Sequence, residues 1–335
     1  MNNKEMIKGV KEAINRDGVF PYEWGRDKPL SDQLCLTGYT LGAMCLLGEI
    51  EIAKRLMKGL LWMEKLTGKS GYLPRSVYYG DKEFDCIKRV FSGIGKKEVG
   101  IWNDTSQDQY LGLFFGLHYA SKMKDINISH YAIGLEERVK SRLRVENYKI
   151  INEEGKNCKH GKLNRFFQHI FFPYMEWTWR DKLTLKLMPL MKLQDTLKRI
   201  VGKRLNRSNY HMMLCGLYLI SQHKPEFKKH YKAVYNHVKN EENALFNAMY
   251  NSLTGKDKPV KEIVDRMTDR CQYISKSDII ERDYIVPTED RPFSHWAWKE
   301  DPYMEQADNA EYTNRYGTHA DGLLALAIQN KGIEI

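Results

Sequence analysis

Asp104 and Asp108 lie four residues apart in the run Ile-Trp-Asn-Asp-Thr-Ser-Gln-Asp-Gln-Tyr at 101–110, where a helix would bring both carboxylates to one face. Hydrolysis of a glycosidic bond needs one acid to protonate the leaving oxygen and one base or nucleophile opposite it. This run has two carboxylates, the flat apolar face of Trp102, and amides at Asn103, Gln107 and Gln109 to meet sugar hydroxyls. A pair on one helical turn is too close to flank a bond from both sides. One of the two would then bind substrate, and the partner would come from Asp32, Glu289, Asp290, Glu311 or Asp321, among which the sequence does not choose. The same residues also fit a plainer role: Thr105 with Asp108, or Asp104 with Gln107, has the spacing of a capping box that only starts the helix.

Three further clusters carry polar or aromatic chemistry. Arg75 follows the turn-forming Gly71-Tyr72-Leu73-Pro74 run and has the fork geometry to meet an anionic sugar, or to end a loop as a structural residue. The stretch Arg291-Pro-Phe-Ser-His295-Trp296-Ala-Trp298 is aromatic yet has neither helical nor strand period, so it lines a cleft or plugs a core edge. The run from Glu311 to Asp321 is polar and aromatic, with His319 as a base, a hydroxyl ligand or a capping residue.

The elements that must position these groups are helical. Spacing nearer 3.6 than 2 predicts helices over 3–15, 31–48, 50–66, 107–123, 130–144, 182–201, 208–222, 226–240, 241–253, 258–268 and 318–330, with Tyr72 to Tyr79 as the best strand candidate. One kind is apolar all round, as in Leu34 to Gly48, Tyr110 to Ala120, Met212 to Ile220 and Gly322 to Ile328. The other is amphipathic, as in Glu51 to Lys65, Pro225 to Asn240 and Val260 to Arg270. A helix apolar on every side must be surrounded by protein, so alternation of the two kinds predicts an inner ring wrapped by an outer ring. Inner candidates also begin with polar patches (Ser31-Asp32-Gln33, Ser106 to Gln109, Arg207 to Asn209, Thr318 to Asp321), which would gather at one rim if the helices run the same way, although every helix start wants a polar cap.

The alternating helices, the Gly71-Tyr-Leu-Pro-Arg75 turn and the Asp104-Thr-Ser-Gln-Asp-Gln109 helix start resemble the six-hairpin, or (α/α)6-toroid, glycosidases and polysaccharide lyases. The resemblance covers most of the chain outside roughly 150–206 and points to no single family within the fold. It implies an all-α toroid spanning residues 1–335 as one domain, with short strands in rim loops and a basic, aromatic-rich insertion at about 150–206. It also implies a glycoside hydrolase with Asp104 and Asp108 as catalytic carboxylates and with substrate contacts from Trp102, Gln107, Arg75, Asp32, His295, Trp296 and His319. The alternative within that fold is a uronate lyase, where a Tyr or His removes a proton and Arg75 neutralises the substrate carboxylate. Terpene and lanthionine cyclases share related toroids, but no Asp-rich DxDD stretch and no Cys/His set spaced for a catalytic zinc is present.

Composition narrows the remaining classes. The six Cys are dispersed with no CxxC pair, and Cys35, Cys45 and Cys215 fall in apolar helical segments as core residues, so neither metal site nor disulfide framework is expected. No cofactor is expected either: GxSxG, Walker, GxGxxG and HExxH patterns are all missing. The start Met-Asn-Asn-Lys-Glu-Met-Ile-Lys has no apolar run behind its charges, and no stretch approaches the ~18–20 apolar residues of a membrane span, so a cytoplasmic location is expected. Charge is uneven. Lys159 to Asn206 holds eleven Lys/Arg against three Asp/Glu, an excess of eight in a chain of formal charge +10. Its aromatic run Phe166 to Trp179 precedes alternating Leu, Met, Lys and Arg, the composition of a lid, a packed hairpin or a membrane-surface segment. A non-catalytic scaffold or peripheral membrane protein working through this insertion is therefore the second class of function. Nucleic-acid binding is not expected, because the aromatics cluster apart from the cations and no reading motif is present.

Overall fold

The computed structural model describes residues 3–14, 18–19, 32–79, 89–92, 98–187, 207–268, 272–273, 279–291, 302–306, 312–313 and 320–331. Helix dominates these residues, and the strands are few and short. The chain divides into two compact units, one formed by Lys8–Phe172 and the other by Met1–Ile7 with Pro173–Ile335.

The 8–172 unit is built on α2 (Gln33–Leu47), α3 (Ile50–Thr67), α4 (Gln107–Ala120) and α5 (Ile126–Val145). The all-round apolar α2 and α4 are buried along nearly their whole length, whereas α3 and α5 bury one stripe each. α2 ends at Gly48, whose left-handed φ of 75° lets its N–H reach the Cys45 carbonyl. α2 and α4 touch through backbone: Gly38 lies against Gly112 and Gly116, while Gly42 meets Phe115 and Tyr119. These contacts advance along both helices together, so the two run parallel with their N-termini at one end. α3 packs on α2 and on α5, which also packs on α4.

Around that end lie β1 (Ser76–Tyr79), β2 (Arg89–Ser92) and β3 (Glu98–Trp102), an antiparallel sheet in the order β1-β3-β2 with Ser76 opposite Trp102. Of the predicted strand 72–79 only the second half pairs, because Pro74 has no N–H to give a ladder and Gly71 turns the chain at φ 74°. A hairpin of β4 (Lys149–Ile151) and β5 (Asn157–Lys162) and a short α6 (Arg165–Phe171) complete the unit. Phe171 stacks on Phe114 at 4.2 Å, so the first half of the aromatic run is core.

The other unit takes the first turn of α1 (Asn3–Ala13), whose Met6 lies against Gly322. α7 (Trp179–Leu187) is followed, after undescribed residues, by α8 (Arg207–Ser221), α9 (Lys228–Val238), α10 (Ala244–Thr254), α11 (Lys261–Thr268) and α12 (Ala320–Lys331). Four small strands, β6 (Gln272–Tyr273) with β9 (Tyr312–Thr313) and β7 (Ile279–Glu281) with β8 (Met304–Gln306), pair antiparallel. α10 is buried from Ala244 to Asn251 even though it carries two asparagines. Asn251 exchanges two 2.8 Å bonds with the Lys258 backbone and Asn247 donates to the Pro259 carbonyl at 2.8 Å, which makes their burial tolerable.

Helix bounds expected from spacing hold to within about a turn, except that 188–201 of the predicted 182–201 helix lies outside the described residues. Cys35, Cys45 and Cys215 are buried, as is Cys158. Among the described residues no helix is long and apolar enough to cross a membrane.

Burial of His211, 3.5 Å from the Cys215 sulfur within α8, pushes its pKa down to about 3. The unfolded chain would take up that proton near the ordinary value of 6.5, so His211 withdraws stability as pH falls from there toward 3. Between neutral pH and pH 5 the expected loss is about 2 kcal/mol. Urea unfolding of the wild-type chain and His211→Leu at both pH values checks it: the variant should lose this part of the pH dependence, and equal slopes would refute the assignment.

Candidate functional site

The site lies where the parallel α2 and α4 begin. Two helix N-termini side by side present unpaired backbone N–H groups and positive partial charge, which anionic side chains complement. Three other helix starts are capped in the usual way, Asp125, Asn164 and Asn243 each accepting the N–H three residues on, while α3 after Glu49 is uncapped. Asp32 and Ser106, the corresponding residues of α2 and α4, make no side-chain cap bond. Neither capping box forms. Asp104 accepts the Lys159 N–H at 2.7 Å, and Asp108 accepts from the Ser106 hydroxyl. Thr105 Oγ1 and Gln107 Oε1 are buried with no hydrogen-bond partner among the described residues, as is Asn103 Nδ2.

Arg75 joins the two helix starts. Its Nη2 donates to Asp32 Oδ1 at 2.9 Å and its Nη1 to Ser106 Oγ at 3.2 Å, while the guanidinium carbon lies 5.2 Å from the centre of the Trp102 ring. Asp32, Arg75, Ser106 and Asp108 thus form one hydrogen-bonded chain bordered by Trp102. The Arg75 backbone is fixed at both ends, its N–H on the Trp102 carbonyl at 2.9 Å and its carbonyl on the Leu34 N–H at 3.1 Å.

Two buried glutamines hold this arrangement. Gln33 behaves as a strand edge, accepting the Val77 N–H at 2.7 Å and donating to the Val77 carbonyl at 3.0 Å, which docks β1 on α2. Gln109 accepts the Cys35 N–H at 3.0 Å and donates to Asp32 Oδ1 at 2.8 Å, which ties α4 to α2. Gln109, expected from sequence to meet a hydroxyl, is fully buried with both ends of its amide used. Beneath the turn, Gly71 N–H donates to Glu64 Oε1 at 2.7 Å, and Arg138 grips the same carboxylate with Nε at 2.8 Å and Nη2 at 2.6 Å.

Behind the 103–108 segment lie two buried phenols and a buried thiol, Tyr72, Tyr110 and Cys158. Burial pushes the Tyr72 phenol far above its usual range, and Tyr110 upward for the same reason. Tyr72 donates toward the Asn103 carbonyl at 2.6 Å, and Tyr110 OH accepts the Leu73 N–H at 3.3 Å. Burial likewise raises the Cys158 thiol to about 11, so it is a thiol rather than a nucleophilic thiolate at neutral pH.

Of the residues expected to act, the structure brings Asp32, Arg75, Trp102, Asp104, Gln107 and Asp108 to this one end of the α2–α4 pair. Trp102, Asp104, Gln107 and Asp108 are half-buried, whereas Asp32 is nearly enclosed. His295, Trp296, His319 and Glu311 lie outside the described residues, and of Asp321 only the backbone is described. Glu289 accepts from Arg266 at 3.3 Å in the other unit. The sequence reading missed Ser106 as the link between Arg75 and Asp108, and Gln33 as the dock for β1; both sat in patches it marked as polar. Among the described residues no group of three or more His, Cys, Asp or Glu is placed to hold a metal ion. No family model matches this chain, and no match was found among curated proteins or solved structures.

Proposed function

We propose that this protein is carbohydrate-active and hydrolyses glycosidic bonds at the N-terminal end of the α2–α4 pair. The observation that carries the reading is that three carboxylates stand at two helix starts and none of them caps its helix. Asp108 is one of the two reacting groups that hydrolysis needs, the acid or the base, half-buried and steadied by Ser106, and the second carboxylate is one of those the sequence offers on other hairpins. Asp104 and Gln107 bind hydroxyls, and Trp102 offers its ring to a sugar face. Asp32, ion-paired with Arg75, is a fixed negative charge. Three carboxylates against one guanidinium leave the site net negative, which favours the positive charge that develops on the sugar during hydrolysis.

The same balance disfavours the lyase alternative. Arg75 is already opposed by Asp32, an anionic uronate would meet net negative charge, and the nearest phenols are held protonated by burial. The wider architecture we propose is the (α/α)6 toroid. Its support is the pairing of a buried helix with an amphipathic one in α2/α3, α4/α5, α8/α9 and α10/α11, with α12 receiving Met6 of α1.

Reducing-sugar release from a panel of neutral oligosaccharides and aryl glycosides tests the function. Asp108→Asn should cut the rate at least about 100-fold with little change in the unfolding midpoint. Wild-type turnover by that variant, or a product absorbing in the ultraviolet as an unsaturated uronate does, would refute hydrolysis by this site.

A further inference from the structure

Trp179, Leu183 and Leu187 recur every four residues along α7 and so form one stripe on its surface. All three face solvent, with 69 %, 45 % and 48 % of their surface exposed. At about 100° per residue, Lys182 and Lys186 fall on one flank of the stripe and Arg180 on the other, and all three cations are exposed. The Arg180 guanidinium stands 5.4 Å from the Trp179 ring centre. The helix's acidic residue is turned inward: Asp181 is buried and accepts the Thr178 N–H at 2.9 Å as part of the helix start. The outward face of α7 is therefore an apolar band between cations. The next residues, 188–206, add five Lys/Arg and one Asp by sequence.

We infer that this face docks on an anionic lipid surface. A nucleic acid offers phosphates to the cations but nothing to Leu183 and Leu187. A second copy of the chain, related by a two-fold axis, would set Lys182 and Lys186 against their own kind. A layer of anionic headgroups satisfies both parts at once. Trp179 and the leucines enter the acyl boundary, and the lysines extend along their stems to the phosphates above it. The inference is independent of the glycosidase reading, since α7 shares no residue with that site.

The 335-residue chain, mixed with vesicles of phosphatidylcholine alone or with phosphatidylserine added, tests it by sedimentation. Retention is expected only with phosphatidylserine, and high salt should abolish most of it. Lys182→Gln with Lys186→Gln should weaken partitioning about 30-fold, taking about 1 kcal/mol for each lysine near the surface. Leu183→Ser with Leu187→Ser, which keeps every charge, should also weaken it, and both variants should retain the wild-type circular dichroism. The inference fails if phosphatidylserine vesicles retain nothing or neutral vesicles retain as much. It fails too if the leucine variant binds like wild type, or if a single-stranded oligonucleotide of matched charge competes the vesicles away.

Discussion

Alanine at position 38 is expected to lower stability by about 3 kcal/mol or more and to disorder the site along with the core. A Cβ on Gly38 would stand 2.2 Å from the Gly112 carbonyl oxygen and 2.4 Å from its carbon, distances that only a shift of α2 away from α4 relieves. Opposing this, alanine is the better helix former by about 1 kcal/mol. The overlap is with backbone on a second buried helix, which cannot swing aside as a side chain can, so the steric cost wins. Gly9, in α1 with nothing within 4 Å of its Cβ position, supplies the control. Gly9→Ala should be neutral or stabilising by up to about 1 kcal/mol. Urea unfolding of the two variants decides it, and equal midpoints would show that the α2–α4 contact is looser than described.

Removing the Asp32 side chain has the second large effect. Arg75 keeps only 19 % of its side-chain surface exposed and Asp32 only 9 %, so Asp32→Ala leaves a largely buried guanidinium without the carboxylate facing it. Gln109 loses an acceptor at the same stroke. Breaking a buried pair from one side costs about 3–5 kcal/mol, most of it the desolvation of the partner left behind. Asp32→Asn keeps an acceptor for both donors and should cost less. Removing both charges in Asp32→Ala/Arg75→Met should recover a large part of the loss, since two apolar groups need no solvation. A double variant as unstable as the sum of its parts would mean that Arg75 and Asp32 act separately. In the Asp32→Ala protein the proposed glycosidase activity should fall with the fold, whereas Asp108→Asn should lose that activity alone.

The two pairs of residues that hold the site were invisible as pairs. Gln109 with Asp32 and Gln33 with Val77 are separated by many residues, and no local rule joins them. The spacing of Thr105 with Asp108 and Asp104 with Gln107 pointed to a capping box, and neither box forms. Local hydrogen bonding is a weak preference, and other donors take both carboxylates: the Ser106 hydroxyl holds Asp108 and the Lys159 backbone N–H holds Asp104. The burial of α10 was not read from its spacing, because Asn247 and Asn251 are tolerable inside only once the 258–259 backbone that they bond is in place.

What the sequence determined by itself is what short-range physics controls. Helices and their approximate bounds follow from side-chain period, and the division into fully apolar and one-sided helices follows from the water each face must avoid. The gathering of polar residues at the starts of α2 and α4 was legible for the same reason. Which polar atoms meet was decided only by tertiary structure: glycine contacts set α2 and α4 parallel and close, so that carboxylates 72 and 76 positions from Asp32 share one end with it. Apolar patterning constrains which face is buried but not the register between two helices, and it is register that turns Asp32, Arg75, Ser106 and Asp108 from four polar residues into a site.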